Sequence, residues 1–332
     1  MKTIRSIVQI TIFLGLGLLL LWYTTKDLTG DDIQNVRNGV WGSNWLLVIP
    51  CILVLMISHY IRALRWTDLI STIGERPGVM NVFLAVLTGF FFNLVFPRLG
   101  EVMKCTLLGR YEKIPVDKLI GTMVAERMVD LICLFLVIFL TVISQFNRVA
   151  AYAEELISKM TEDTSGYQHW LWIILIIMLM IPPILYFTWK RFGQHQWFLS
   201  LRSLIMGFYE GLLSVGRVRQ KSRFWGYTFL IWFLYLMSIQ LGFYAMPGLT
   251  GMSITSALTI LTFGSFAMIA TQGGIGAYQL AVQKTLTLYG VDQVKGLAFG
   301  WLLWSVQTVM LLITGPLSLL WLYLRNKKNN LT

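Results

Sequence analysis

Charge is what this chain has least of. Lys, Arg, Asp and Glu make up 13% of its 332 residues, while 56% are hydrophobic and 14% aromatic. That leaves too little polar surface for a soluble fold, so composition predicts an all-α polytopic membrane protein. Cysteine is equally sparse. Cys51, Cys105 and Cys133 lie in or beside apolar segments at spacings that suit neither a disulfide framework nor a zinc site, and they read as packing residues. His59, His169 and His195 are scattered without metal-ligand spacing. No metal and no cofactor is expected.

What charge there is leans basic, with 27 Lys and Arg against 16 Asp and Glu, a formal net charge of +11. In a soluble chain this excess would point to nucleic acid. In a membrane chain the bias of Lys and Arg toward the cytoplasmic side accounts for it, so no nucleic-acid partner is expected.

Read in order, the first apolar run, 7–23, follows Lys2 and Arg5 with no small-residue cleavage pattern, so it is read as a retained span with its N-terminus inside. A connection over 24–43 holds Asp27, Asp31 and Asp32, and a second span over about 44–60 ends at Arg62 and Arg65, which marks that end as inside. The apolar run 79–96 stops at Pro97 and Gly100. It is followed by Arg98, Lys104, Arg110, Lys113 and Lys118, which a full crossing would place outside. A re-entrant hairpin fits the charge rule better, with its bend where Pro97 ends the amide ladder and Gly100 permits a tight backbone.

The span 119–144 then leads out, 145–169 is a net acidic exterior loop, and 170–189 returns with a kink at Pro182-Pro183. Over 194–216, apolar residues such as Trp197, Leu201, Leu204 and Phe208 recur at helical steps inside the most basic part of the chain, which predicts an amphipathic helix on the cytoplasmic leaflet. The span 224–246 leads to a second broken apolar segment, 254–270, interrupted at Thr271-Gln272-Gly273-Gly274-Ile275-Gly276 and resumed over 277–288. The last span, 296–324, ends in Arg325, Lys327 and Lys328, so both termini are expected in the cytoplasm. Gly296 and Gly300 have the small-xxx-small spacing of close helix packing. The expected architecture is six transmembrane helices plus two re-entrant helical hairpins. Residues 44–144 and 224–324 would be inverted repeat units within one membrane domain, 1–332, an arrangement in which substrate sits at the repeat interface.

The stretch 90–130 is the chemical centre. It sets Arg98, Glu101, Lys104, Glu126, Arg127 and Asp130 among apolar residues, where a charge costs roughly 2.5–3.5 kcal/mol on insertion scales. A guanidinium or ammonium in a low-dielectric cavity binds a lipid phosphate well. The plainer readings are that Arg98 reaches its charge to water at the interface, and that Glu101, Glu126 and Asp130 pair with the cations to pin helices together. Asn93, one turn before the break, either satisfies backbone groups freed by Pro97 or touches substrate. Gly273, Gly274 and Gly276, with Gln272 and Gln279, would let the backbone approach a ligand. A nucleotide-binding glycine loop is a poor alternative, because no strand precedes it.

Asn93, the run Pro97-Arg98-Leu99-Gly100-Glu101, Lys104, Glu126-Arg127 with Asp130, and Gly273-Gly274-Ile275-Gly276 together resemble the motifs of the lysylphosphatidylglycerol synthase transmembrane family, the flippase-like domain family. The resemblance covers nearly the whole chain. It implies a lipid-translocating module with re-entrant helices, here the membrane domain alone without the soluble domain that performs aminoacyl transfer. Thr271, Gln279 and Lys104 depart from the proline, glutamate and arginine common in the family, and a neutral Gln279 would alter headgroup preference or proton coupling.

The expected function is movement of a phosphate-bearing lipid, a phospholipid or a polyprenyl-phosphate-linked one, between leaflets of a bacterial-type cytoplasmic membrane. No ATP-binding motif is present, so movement would be downhill or ion-coupled. An intramembrane enzyme would need a nucleophile or metal beside the acids, and the sequence offers neither. The alternative is a non-catalytic membrane partner of a lipid-modifying synthase or glycosyltransferase; a homo-oligomer is compatible with either reading.

Overall fold

A bilayer offers no partner to a bare amide, and an α-helix satisfies its own, so the apolar runs of the sequence fold as helices. The computed structural model describes residues 15–26, 28–96, 99–145, 216 and 218–327. Every regular element among them is helical. In chain order these are α1 (Gly15–Thr25), α2 (Gly30–Trp41), α3 (Trp45–Ser71), α4 (Val79–Val95), α5 (Leu99–Glu112), α6 (Val116–Ser144), α7 (Lys221–Ala245), α8 (Ile254–Ala270), α9 (Ala277–Leu288) and α10 (Gln293–Asn326), with a 3₁₀ turn, Gln272–Gly274, between α8 and α9. Of these, α3, α6, α7 and α10 are long and apolar enough to cross a membrane. Met1–Thr141 with Gly211–Thr332 form one unit and Val142–Glu210 a second, of which only the end of α6 and Gln145 are described. The expected 170–189 span lies outside the described residues, as do the loop 145–169 beyond Gln145 and the amphipathic helix 194–216 except Gly216.

The frame is an antiparallel pair, α3 against α7. At one end the Asn44 N–H donates to the Ala245 carbonyl at 2.7 Å. In the middle Arg62 donates to the Tyr235 hydroxyl at 3.0 Å, and at the far end Arg223 clasps Asp68. Two hairpins leave this frame from opposite ends. The first starts beyond the Asp68 end, and α5 runs back along α4. Glu112, the last residue of α5, accepts from the Gly78 N–H at 3.1 Å and from the Asn81 amide at 2.6 Å, at the start of α4. The second starts beyond Ala245, and α9 runs back along α8. There the Tyr289 hydroxyl shares a hydrogen bond of 2.8 Å with Thr259, and the Tyr278 ring lies against Gly264.

The tips of the two hairpins meet. The Gln272 side chain donates to the Asn93 carbonyl at 2.6 Å. Both α4 and α8 are 17 residues long, about 25 Å at 1.5 Å per residue, shorter than the roughly 30 Å hydrocarbon core.

Helix α10 closes the structure, antiparallel to α4. Asn326 pairs with Asn81 at 3.2 Å, and Gly315 accommodates the Phe91 ring. A Cβ on Gly296 would stand 3.3 Å from Gln283 Cα, and one on Gly300 3.0 Å from Gln279 Cα. Close packing of α10 on α9 therefore uses the small residues that the spacing picks out. Two apolar clusters fill the unit. One is centred on Phe243 stacked on Phe299, with ring centroids 4.8 Å apart. The other, around Trp66, Leu69, Leu108, Leu119 and Phe224, joins α3, α5, α6 and α7. All three cysteines are buried and none forms a disulfide.

Two differences from the sequence reading matter. The 24–43 connection contains α2, started by a capping box in which Thr29 and Asp32 satisfy each other's backbone N–H groups. And α3 does not stop near Tyr60. It continues to Ser71 and carries Arg62 and Arg65 into the interior, both buried, instead of leaving them at an interface.

Candidate functional site

Same-face spacing on two helices builds the ionic core. Arg62 and Arg65 are three apart on α3, and Glu126 and Asp130 are four apart on α6, so each pair projects from one side of its helix. The arginines face the acids, and each bridges both. Arg62 Nη1 donates to Glu126 Oε1 at 3.0 Å and to Asp130 Oδ2 at 2.7 Å. Arg65 Nη2 donates to Glu126 Oε1 at 3.2 Å and to Asp130 Oδ1 at 2.8 Å. From α5, Lys104 Nζ takes the other Glu126 oxygen at 2.7 Å. Its ammonium sits 4.3 Å above the Trp66 ring, and the Trp66 indole N–H in turn donates to Thr122 at 3.0 Å. Glu126 is 0% exposed and receives three cations.

The periphery is looser. Arg127 lies 3.7 Å from Glu101, 3.8 Å from Glu126 and 3.7 Å from Asp130, beyond hydrogen-bond reach, with its side chain 34% exposed. Among the described residues, Arg62, Arg65, Lys104 and Arg127 stand against Glu101, Glu126 and Asp130, four cations to three acids, a net charge of +1. Donors remain open inside it. Arg65 is 0% exposed, yet among the described residues its Nε and Nη1 have no partner, nor does Arg62 Nε. His59, one turn before Arg62, is buried against Phe90 with neither ring nitrogen bonded. Buried donors without acceptors cost about 1–3 kcal/mol each, and an anion is the species that would engage them while balancing the surplus charge.

The remaining sequence-predicted residues fall elsewhere. Asn93 Oδ1 accepts from the Gly100 N–H at 2.9 Å, satisfying a backbone donor at the start of α5, while its carbonyl takes Gln272. This is the backbone-satisfying role for Asn93. Asn93→Ala is expected to lower stability by about 1 kcal/mol, the value of one such bond, read as a small fall in thermal midpoint.

Gly273, Gly274 and Gly276 have φ of 59°, 75° and 74°, a region that side chains disfavour. The Gly273 carbonyl accepts from the Trp304 indole at 2.8 Å. A Cβ on Gly276 would strike the Gly17 carbonyl, and the Leu21 N–H nitrogen lies 2.7 Å from that point. In this fold Gly276 admits α1, and Gly274 leaves room for the Met268 side chain of α8. Gln279 is fully buried on α9, with both amide atoms unpartnered. Among the described residues no hydrogen bond or ion pair joins this group to the ionic cluster. Arg98 lies outside the described residues.

The structure thus brings together Glu101, Lys104, Glu126, Arg127 and Asp130, and adds Arg62, Arg65 and Tyr235, which the sequence reading left out. The available signal was spacing: two arginines at i, i+3 just beyond an apolar run, opposite two acids at i, i+4. Among the described residues no three of His, Cys, Asp and Glu converge in a way that would hold a metal ion.

Long apolar helices around a buried ionic core define an integral membrane protein of the α-helical class. The sequence profile of the lysylphosphatidylglycerol synthase TM region matches residues 6–315, and the chain belongs to that family. Over 103 residues it is 33% identical to a UPF0104 membrane protein of Methanocaldococcus jannaschii. The aligned stretch spans 30% of this chain and 30% of that protein's length. No solved structure matches.

Proposed function

We propose that the chain is a lipid translocator whose ionic core receives the phosphate of a lipid headgroup as the lipid passes between leaflets. The observation that carries this reading is a cluster that, among the described residues, has one surplus cation and a fully buried Arg65 with two open donors, beside Arg127 with its side chain 34% exposed. The family description, a membrane region of a lipid-related protein, supports a lipid as the charged species.

Arg127 makes the first contact, since it is the most accessible of the cluster's described cations. Glu126 and Asp130 hold Arg62 and Arg65 in place, and the open Arg65 N–H groups donate to the phosphate oxygens. Two short hairpins that leave opposite ends of α3–α7 and meet at Asn93 and Gln272 support the re-entrant arrangement. With it come six crossings and inverted units at 44–144 and 224–324, with both termini in the cytoplasm of a bacterial-type inner membrane. The chain in this reading moves a lipid and forms no covalent bond with it.

The test is head-labelled phosphatidylglycerol in proteoliposomes, followed by quenching from outside. Wild type is expected to expose the inner-leaflet label and Arg127→Gln to fall to the protein-free rate while remaining folded, because its long contacts contribute only about 0–1 kcal/mol to stability. Equal rates for wild type and protein-free vesicles would instead favour the non-catalytic partner reading.

A further inference from the structure

A second cationic site lies where α3 ends and α7 begins. A cavity of about 320 Å³ is lined there by Thr67, Asp68, Ser71, Arg76, Arg219 and Arg223, among others. Three arginines face one acid. Arg223 is committed to Asp68, with Nε donating to Oδ2 at 3.1 Å and Nη2 to the other oxygen, but its side chain is still 48% exposed. Arg76 and Arg219 are exposed and form no ion pair with the described residues.

The backbone contributes as well. Gln220, the residue at the N-cap of α7, makes no side-chain cap hydrogen bond. The first intrahelical bond at this end is donated by the Phe224 N–H to the Gln220 carbonyl, so the N–H groups of 221–223 precede the ladder. A 25-residue helix therefore presents the positive end of its dipole and unbonded N–H groups to a cavity already rich in guanidinium, the arrangement that binds phosphate.

We infer that this cavity is a binding site for a phosphate group, either a lipid headgroup at the membrane surface or a soluble phosphate, held by Arg76, Arg219 and the N-terminus of α7. Asp68 holds Arg223 partly neutralised, which lets the ligand leave. The site stands on its own geometry and does not depend on what the ionic core binds.

Hydrogen exchange of the backbone N–H groups at 221–223 in the purified full chain reads the site directly, with inorganic phosphate and dihexanoyl phosphatidylglycerol as separate probes. Wild type is expected to show slowed exchange there with at least one of them. Slowing by both identifies a soluble phosphate group as sufficient, and slowing by the lipid alone identifies a headgroup. Arg76→Gln/Arg219→Gln is expected to need about tenfold more ligand for the same protection, and Arg127→Gln, in the ionic core, none extra. Asp68→Asn, which frees Arg223, is expected to need less ligand; a merely structural ion pair would give a less stable protein with unchanged protection. The inference is overturned if neither probe slows exchange in wild type, or if the double arginine variant is protected as well as wild type.

Discussion

Glu126→Gln is expected to destabilise the folded chain by about 3–5 kcal/mol, the usual effect of removing one partner from a buried ion pair. The carboxylate is fully buried and accepts from Arg62, Arg65 and Lys104 at 2.7–3.2 Å. Glutamine preserves the volume and one acceptor oxygen but none of the charge, so Arg62 and Arg65 would be left with Asp130 and Lys104 with no ion-pair partner among the described residues. The thermal midpoint in detergent should fall sharply, and little protein should survive extraction. Adding Lys104→Met removes one of the stranded charges and is expected to recover part of the loss, with a coupling of about 0.5–3 kcal/mol between the two positions. A single variant as stable as wild type would mean that Glu126 does not hold the core. The contrast with Arg127→Gln is what separates folding from function: the two residues are adjacent in sequence, but one is locked at hydrogen-bond distance and the other is half-exposed at 3.7–3.8 Å.

Gly100→Ala is the second large effect. The added methyl would land on the Gly89 carbonyl of the facing helix, with the Asn93 side chain 2.8 Å away. Backbone cannot yield as a side chain can, so α4 and α5 must separate. Overpacking costs about 1–3 kcal/mol, and loss of the Asn93 to Gly100 hydrogen bond adds about 1 kcal/mol. The Gln272 contact at the hairpin tip should loosen too, since it is made to the Asn93 carbonyl. Gly121→Ala is the control. It lies inside α6 with nothing within 4 Å of its added Cβ, and is expected to stabilise by up to about 1 kcal/mol through helix propensity alone. A thermal midpoint for Gly100→Ala equal to that of wild type would contradict the close hairpin.

How much of this was legible depended on whether the signal was local. The second hairpin, 254–270 and 277–288, matches α8 and α9 to the residue, because Pro247-Gly248 and the Gly-Gly-x-Gly break punctuate it in the sequence itself. Helix α2 is absent from the sequence-based expectation because its residues are mostly polar and acidic, although Ile33, Val36 and Val40 recur at helical spacing behind the Thr29 to Asp32 capping box. Arg62 and Arg65 were misjudged for a different reason. A basic pair at the end of the mostly apolar run 44–60 is what the end of a span looks like, and the charge rule reads it so. Their partners lie 61 to 68 positions along the chain, and the matched spacing of the two pairs does not by itself say that they meet. Of the glycines in the second break, Gly276 makes a close backbone approach to α1, and the Gly273 carbonyl accepts from Trp304 of α10.

The central claim, that the ionic core holds a lipid phosphate, is tested most directly by native mass spectrometry of the gently extracted chain, comparing wild type with Arg127→Gln. The account predicts that wild type retains a defined phosphate-bearing lipid and that the variant, equally folded, loses it. Retention of the same lipid by both would contradict it and leave the cluster as a brace between α3, α5 and α6.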